Sequence, residues 1–224
     1  MNAIVTGAAR GIGRAVADRL RADGAQVLYV DLDESVTELG GIVADVTDPA
    51  DRARILDAVD GEITLLVNNA GITKDARIVK MTEEQFLAVI RVNLGAAYEL
   101  TMAAVPRFAD GASVVSLASR AYLGNFGQYN YAASKGGLVG MTRALALQLA
   151  PRVRVNAIAP SLTASEMTSA MPEKVLDKMI ASIPLGRMAE TEEIAETIAA
   201  LASPATAYVT GQVLVACGGR SLAP

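Results

Sequence analysis

The sequence Thr6-Gly7-Ala8-Ala9-Arg10-Gly11-Ile12-Gly13 joins a short apolar run to a helical pattern, and the rest of the chain is interpreted from this junction. The apolar run, residues 2–6, predicts a buried strand. A glycine-rich turn between a strand and a helix leaves backbone N–H groups at the helix N-terminus, where a phosphate can bind. The junction therefore predicts the first strand, turn and helix of a dinucleotide-binding sheet.

Strand-like and helix-like segments alternate along the remaining sequence. This alternation is typical of a parallel sheet with helices on both faces, so the predicted class is α/β, a Rossmann-type doubly wound sheet of about seven strands. The predicted strands are residues 2–6, 26–31, 41–45, 63–68, 112–116, 153–158 and 212–215. The predicted helices are residues 11–21, 51–60, 82–108, 131–149 and 192–202, with a rudimentary helix or loop at 34–39.

The length and composition predict a single domain. A chain of 224 residues, 52% of them hydrophobic, can bury one sizeable core, and no repeat or linker-like segment divides it. We therefore expect one dinucleotide-binding domain over residues 1–224. Residues 160–189 carry three prolines and four methionines, more than a tight connection needs, and are interpreted as a substrate lid.

The composition also excludes several classes of function. A net charge of -4 removes the positive surface that nucleic-acid binding requires. The absence of histidine excludes a Ser-His-Asp triad and a His-ligated zinc, so we expect no metal site and proton transfer by Tyr, Lys, Asp or Glu. The single Cys217 forbids an internal disulfide and is compatible with a reducing compartment.

Neither the start of the sequence nor its longest uncharged stretch indicates export or membrane insertion. The strand-like run begins at Asn2, without a basic leader. The uncharged stretch, residues 197–219, is interrupted by Pro204 and Gly211. We therefore expect a cytoplasmic protein with neither a membrane nor a nucleic acid as partner.

The glycine turn and the acid after the second strand predict which dinucleotide binds. Gly7 permits the tight turn, Gly11 lets the backbone approach the phosphates, and Gly13 allows the helix to pack closely on the strand. Asp31 ends the second strand, where a carboxylate accepts hydrogen bonds from the adenosine ribose and repels a 2′-phosphate, which favours NAD. Arg10 could pair with that phosphate, so NADP stays possible.

Further motifs in the same order resemble the short-chain dehydrogenase/reductase family, in particular its members similar to 3-oxoacyl-carrier-protein reductases. Besides the glycine turn, they are Asn68-Asn69-Ala70-Gly71, Asn93 and Tyr131-Ala132-Ala133-Ser134-Lys135. The resemblance runs from Ala3 to Gly219. It implies an NAD(P)-dependent oxidoreductase that transfers a hydride between nicotinamide C4 and a ketone or secondary alcohol. It also implies a homo-oligomer, a tetramer or dimer, formed through the two long helices and the last strand.

Tyr131 and Lys135 lie four residues apart on a predicted helix, so their side chains project from one face. A lysine cation there would lower the pKa of the Tyr131 phenol from about 10 toward neutral pH and make it a usable general acid or base. The resemblance implies that Tyr131 protonates the carbonyl oxygen and that Lys135 also holds the nicotinamide ribose.

The resemblance implies a serine thirteen residues before the tyrosine, but Ala118 occupies that position. Ser119 and Ser116 lie on either side of it. A one-residue deletion within residues 120–125 would bring Ser119 into register, so we predict Ser119 and keep Ser116 as the alternative. Asn93 resembles the family's catalytic asparagine, which kinks its helix and holds a proton-relay water.

The resemblance also implies the complete site. Ser161 follows Pro160 where the family has a glycine, so the backbone there is expected to differ locally. The predicted catalytic residues are Asn93, Ser119, Tyr131 and Lys135. The predicted cofactor-binding residues are Gly7, Arg10, Gly11, Ile12, Gly13, Asp31, Asp45, Val46, Asn69, Ala70, Gly71, Tyr131, Lys135, Pro160, Thr163 and Ser165.

The sequence leaves the substrate open among small ketones, 3-oxoacyl thioesters, steroids and cyclic alcohols, and we favour 3-oxoacyl or simple ketones. No Arg or Lys is placed by sequence alone to hold a carboxylate. The alternative function is a dinucleotide-sensing or scaffold protein of the same fold without turnover, which the displaced serine favours. The predicted apolar pocket is Tyr122, Phe126, Met167 and Met171.

Overall fold

The computed structural model describes residues 1–165, 168 and 171–222. These residues form one seven-stranded parallel sheet in the order β3-β2-β1-β4-β5-β6-β7. The chain starts in the middle of the sheet, builds one edge and then returns to build the other, which confirms the predicted doubly wound class. The strands are β1 (Asn2–Thr6), β2 (Gln26–Asp31), β3 (Ile42–Val43), β4 (Ile63–Asn68), β5 (Phe108–Leu117), β6 (Val153–Pro160) and β7 (Val213–Ala216).

Helices cover both faces of this sheet, because each strand is apolar on both sides. On one face, α1 and α7 pack against β1 and β4 through residues such as Leu20, Ile194 and Leu65. On the other face, α2, α4 and α5 pack through residues such as Ile55 and Leu100. The helices are α1 (Gly11–Ala22), α2 (Pro49–Asp57), α3 (Glu83–Ile90), α4 (Ala96–Ala104), α5 (Tyr129–Leu149), α6 (Glu173–Ala181) and α7 (Thr191–Ala202).

The long helix predicted over residues 82–108 is interrupted. Between α3 and α4 the chain forms a π-helical turn, Arg91–Gly95, and after α4 a 3-10 turn, Val105–Arg107. Asn93 lies in the π-helical turn, and its side chain is 1% exposed. A π-turn inserts one residue into the helix and commonly marks a functional position. Because of this π-turn, the Asn93 side chain is directed toward the protein interior.

By length and composition alone, the combined helix Glu83–Arg107 is apolar enough to cross a membrane. Such a helix is also common in the core of a folded domain. Here α3 and the π-turn pack against α5, and α4 packs against α2, β4 and β5. Packing within the fold buries a third of this apolar segment.

The sheet edges depart most from the sequence prediction. β3 has two residues rather than five, and it pairs only with β2. The connection before it, Glu34–Leu39, is a 3-10 helix, as the shortness of that segment indicated. β5 is longer than predicted because its early residue Phe108 is fully buried and pairs with Ile63 of β4.

Candidate active site

One cavity of about 780 Å³ lies along the carboxyl edge of the sheet. One end is formed by the segments after β1, β2 and β3, and the other by those after β5, β6 and β7. Gly11, Asn93 and Lys135 are the predicted site residues that lie outside its wall. The predicted residues in the wall are Gly7, Arg10, Ile12, Gly13, Asp31, Asp45, Val46, Asn69, Ala70, Gly71, Ser119, Tyr131, Pro160, Thr163 and Ser165.

The glycine turn after β1 is shaped to bind a phosphate. Gly7 and Gly11 have φ of +66° and +57°, a backbone conformation that only glycine adopts readily. A Cβ on Gly13 would lie 2.0 Å from the carbonyl oxygen of Gly7, so the helix could not pack this closely with any other residue. No side chain caps the N-terminus of α1, so its N–H groups are left for an anion.

Asn69, after β4, fixes the turn from the neighbouring strand. Its side-chain amide donates to the carbonyl oxygens of Thr6 and Gly7, both at 2.9 Å. The backbone N–H groups of Asn69 and Ala70 both donate to the Thr6 hydroxyl at 3.0 Å. Asn69 therefore supports the phosphate-binding backbone.

Asp31 and Arg10 lie at the end of the cavity where β2 terminates. The Asp31 carboxylate accepts hydrogen bonds from the backbone N–H of Ala9 at 2.9 Å and of Asp33 at 3.1 Å. Arg10 forms an ion pair of 3.0 Å with Asp33, and its side chain is 66% exposed. Exposed pairs of this kind are weak, so the guanidinium can leave Asp33 at little cost.

Tyr131 and Ser119 meet at the other end of the cavity. Tyr131 lies in the first turn of α5, and Ser119 follows β5. Burial raises the pKa of the Tyr131 phenol above its ordinary value. A hydrogen bond with the Ser119 hydroxyl lowers this pKa and the charge of Asp75 raises it, but burial is the largest effect and the net change is an increase. The Ser119 hydroxyl also accepts from the backbone N–H of Ala121 at 3.1 Å. The site therefore pairs a phenol and a hydroxyl.

Ser116, the alternative to Ser119, lies elsewhere. It is fully buried in β5 and outside the cavity wall. Its hydroxyl has no hydrogen-bond partner among the described residues. The structure thus places Ser119, and not Ser116, beside Tyr131.

Lys135 lies one helical turn beyond Tyr131 and beneath the cavity. Its side chain is buried, its Nζ donates to the carbonyl oxygen of Leu117 at 2.5 Å, and its Nζ lies 5.5 Å from the centroid of the Tyr131 ring. Burial lowers the pKa of Lys135 to about 8. Contrary to the prediction, the pKa of the Tyr131 phenol is raised in this fold, because its removal from water outweighs the lowering effect of Ser119.

Asn93 connects the π-turn to the loop after β4. Its amide oxygen accepts from the backbone N–H of Ile72 at 2.8 Å, and its amide nitrogen donates to the carbonyl oxygen of Ile72 at 3.0 Å. A Cβ on Gly71 would lie 3.1 Å from the Asn93 oxygen and 3.7 Å from the Lys135 Nζ. Asn93 and Lys135 therefore lie together behind Gly71.

The predicted apolar pocket is only partly found. Met171 lines the cavity. Tyr122 instead packs on the cluster containing Ala118 and Val139, because the 3-10 turn Arg120–Leu123 directs it toward α5. Phe126 is 88% exposed, and Met167 lies outside the described residues.

The sequence analysis missed two arginines of the cavity wall, Arg120 and Arg220. Arg120 directly follows Ser119, and Arg220 lies in the turn after β7. The fold thus places two cations in the cavity wall where the sequence alone placed none. The available signal was the strand order, since segments that follow neighbouring parallel strands meet at one edge of a sheet.

The chain matches known proteins over nearly its whole length. Residues 7–221 match the family model described as enoyl-(acyl carrier protein) reductase. The crystal structure of a short-chain dehydrogenase/reductase, glucose/ribitol dehydrogenase, from Brucella melitensis is 34% identical with a TM-score of 0.94, and the match covers 98% of this chain and 96% of that one. The chain belongs to the short-chain dehydrogenase/reductase family.

Curated relatives in the short-chain dehydrogenase/reductase family agree with this assignment. The 3-oxoacyl-(acyl-carrier-protein) reductase of Thermotoga maritima is 43% identical, with 96% of each chain covered. The protein of the same name from Escherichia coli is 38% identical over 97% of this chain and 96% of its own length. Hydride transfer with a nicotinamide dinucleotide is general in the family, so the chain is a nucleotide-binding oxidoreductase of Rossmann type.

Proposed function

We propose that this short-chain dehydrogenase/reductase interconverts a ketone and a secondary alcohol, with Tyr131 as general acid and base. The observation that carries the proposal is that Ser119 and Tyr131 both line the cavity that begins at the glycine turn, where the Ser119 side chain lowers the pKa of the phenol. A sensor or scaffold would not need a phenol and a hydroxyl paired beside the dinucleotide site. We favour 3-oxoacyl or simple ketone substrates.

Each side chain around Tyr131 has its own role in carbonyl reduction. The Ser119 hydroxyl holds the carbonyl oxygen next to the phenol, and Tyr131 donates its proton to that oxygen. With its phosphates held at the glycine turn, a dinucleotide would supply the hydride for the carbonyl carbon from a reduced nicotinamide beside Tyr131. Lys135 holds the nicotinamide ribose and stabilises the phenolate that remains, and Asn93 positions a water that returns the proton.

The raised pKa of Tyr131 suits it to this direction of reaction. Because burial favours the neutral phenol, Tyr131 is protonated at neutral pH and available as an acid. In the reverse direction the phenolate must form, and the positive charge of Lys135 favours it. With a pKa of about 8, Lys135 carries that charge at neutral pH. Reduction is therefore expected to be faster below pH 8 than above it.

The experiment is the loss of NADH or NADPH absorbance across a panel of ketones and 3-oxoacyl thioesters. Replacing Tyr131→Phe removes the proton donor and keeps the ring, so we expect kcat to fall by about a hundredfold to ten-thousandfold. Tyr129→Phe is the matched control, since Tyr129 lies outside the cavity wall and its activity should not change. A Tyr131→Phe variant as fast as wild type would refute the proposal.

The cofactor is proposed to be NAD. Asp31 lines the cavity where β2 ends, and its charge would face the 2′ position of an adenosine ribose. Arg10 could pair with a 2′-phosphate, because its exposed ion pair with Asp33 is weak, so NADP stays possible. The further cofactor contacts, from Asp45 to Ser165, are proposed as the resemblance implies.

The segment around residues 160–189 is proposed to act as the substrate lid of this single domain. Thr163 and Ala189 form an isolated parallel bridge, so the two ends of the segment are held together. Between them, Met171 and Met179 face the cavity. We propose that the protein acts in the cytoplasm on a small molecule, as a homo-oligomer.

A further inference from the structure

Two arginines converge at the Tyr131 end of the cavity. Arg120 follows β5 and Arg220 follows β7, and β6 between them brings Ser161 to the same edge. All three residues line the cavity wall. Burial, followed by the charge of Arg120, lowers the pKa of Arg220, so the two guanidinium groups are close enough to repel each other.

The polar groups of this arginine pair lack protein partners. Among the described residues, neither Arg120 nor Arg220 forms an ion pair with a carboxylate. The Nε of Arg120 and the hydroxyl of Ser161 are buried without a hydrogen-bond partner in the described part of the chain. A partly buried charge without a counter-ion is costly, and so is a buried donor without an acceptor.

The two ends of the cavity differ in the sign of their charged side chains. The carboxylates in the described part of the wall are Asp31, Asp33 and Asp45, which follow β2 and β3 at the far edge of the sheet. Among the described residues of the wall, no carboxylate lies beside the arginine pair. An anion bound there would offset the repulsion between the two guanidinium groups.

We propose that Arg120 and Arg220 form a subsite for a carboxylate carried by the substrate, so that the preferred substrate is a short oxo acid or the corresponding hydroxy acid. The guanidinium groups present forked donors that match a carboxylate, and the buried Nε of Arg120 and the Ser161 hydroxyl gain an acceptor. This inference rests on the proposed function, because it places the reacting carbonyl at Ser119 and Tyr131.

The arginine pair and the reacting groups lie in one cavity. Arg120, Arg220, Ser119 and Tyr131 all line its wall. One small molecule, such as a 3-oxo acid, could therefore present its carbonyl to Ser119 and Tyr131 and its carboxylate to the arginines. A long neutral thioester would leave the arginine pair without an anion and should be the poorer substrate.

The test compares acetoacetate with methyl acetoacetate, which differ in this charge. We expect wild type to reduce acetoacetate with a kcat/KM about tenfold to a hundredfold higher. Arg120→Met and Arg220→Met should each remove this preference, because kcat/KM should fall by more for acetoacetate than for the ester. Arg143→Met, on the exposed side of α5 and outside the cavity wall, is the matched control and should keep it.

A binding measurement separates this inference from the proposed function. In calorimetric titrations, butanoate should bind wild type and Arg143→Met but not Arg120→Met or Arg220→Met, and butanamide should bind none of them. Arg220→Lys, which keeps the charge without the fork, should bind butanoate with intermediate affinity and report on the subsite if Arg220→Met is poorly folded. Equal affinity for butanoate and butanamide, or butanoate binding unchanged in both arginine variants, would overturn the inference. Butanoate binding as expected, without reduction of any ketone, would overturn the proposed function alone.

Discussion

At the scale of single residues, the site depends on Lys135, whose charged form is destabilised by burial. Lys135 is 3% exposed and donates to one backbone carbonyl, so its ammonium has lost most of its hydration. The fall of its pKa from 10.5 to about 8 means that burying the charged amine costs up to about 3 kcal/mol of folding free energy at neutral pH. Stability is thus given up to place a cation beneath Tyr131.

We predict that Lys135→Met stabilises the fold and abolishes activity. Below pH 8 wild type buries a charge that the variant lacks, so the variant should unfold with a free energy about 2 kcal/mol higher at pH 7. Between pH 8 and the ordinary lysine value of 10.5, the unfolded chain holds a proton that the folded chain has released. Wild-type stability therefore rises with pH in that window, and the difference shrinks. Urea unfolding at several pH values measures this.

The exposed Lys174→Met provides the control, with a change of less than about 0.5 kcal/mol at every pH. A Lys135→Met variant less stable than wild type at pH 7 would contradict the account of a costly buried charge.

Asp31 is the residue on which cofactor choice is predicted to depend. Wild type should use NADH with a kcat/KM at least about tenfold above that for NADPH, because the carboxylate repels a 2′-phosphate. Asp31→Asn keeps the shape and removes the charge, so the ratio should fall by about tenfold. Steady-state kinetics with both cofactors measure it, and a wild-type preference for NADPH would show that Arg10 dominates.

Ser119 could be predicted from the sequence only with an added assumption about loop length. The family spacing points to Ala118, and only the idea of a shortened loop indicated Ser119. The structure places Ser119 against Tyr131. The direction of the Tyr131 pKa was predicted wrongly, because burial depends on packing that spacing does not reveal.

At the scale of elements, close packing at the glycine turn is predicted to be a large local constraint. In Gly13→Ala the new methyl group would meet the Gly7 carbonyl oxygen and the Asn69 amide, so we expect a loss of about 1–3 kcal/mol in unfolding free energy. In Gly140→Ala, on α5, the methyl group meets no atom within 4 Å, and we expect a gain of about 0.5–1 kcal/mol. Denaturant unfolding of both variants measures the contrast, and equal effects would contradict it.

Element boundaries follow from the sequence where an apolar run ends in a polar residue. β1, β2 and β4 have the predicted bounds, because their apolar runs end at Thr6, Asp31 and Asn68. α2 begins at Pro49, two residues early, because the Asp48 carboxylate accepts from two backbone N–H groups of the first turn. The π-turn has no periodic signal of its own, since Asn93 is held there by two hydrogen bonds with the Ile72 backbone, one accepted and one donated.

At the scale of the whole molecule, the arginine pair shows what the sequence alone does not reveal. Arg120 and Arg220 are a hundred residues apart, and they meet only because β5, β6 and β7 are adjacent. The motif residues were found because each one is recognisable within its own segment. Residues that act together across segments require the topology, and the strand order then indicates which side chains converge.

The predicted homo-oligomer is also a property of the whole molecule. The helices named for it carry exposed apolar side chains: Leu87 and Tyr98 along Glu83–Arg107, and Leu147, 84% exposed, on α5. Exposed apolar residues on elongated helices are typical of surfaces that associate. We expect light scattering at micromolar concentration to give a mass of two or four chains of 23.2 kDa.

A charge placed on that surface should separate the subunits, because burying an unpaired carboxylate in an interface is costly. Tyr98→Glu or Leu147→Glu should therefore lower the measured mass toward one chain. Val175→Glu, on α6 and as exposed as Tyr98, is the matched control and should keep the mass of wild type. A wild-type protein that stays monomeric at these concentrations would contradict the prediction, and with it the role assigned to both long helices.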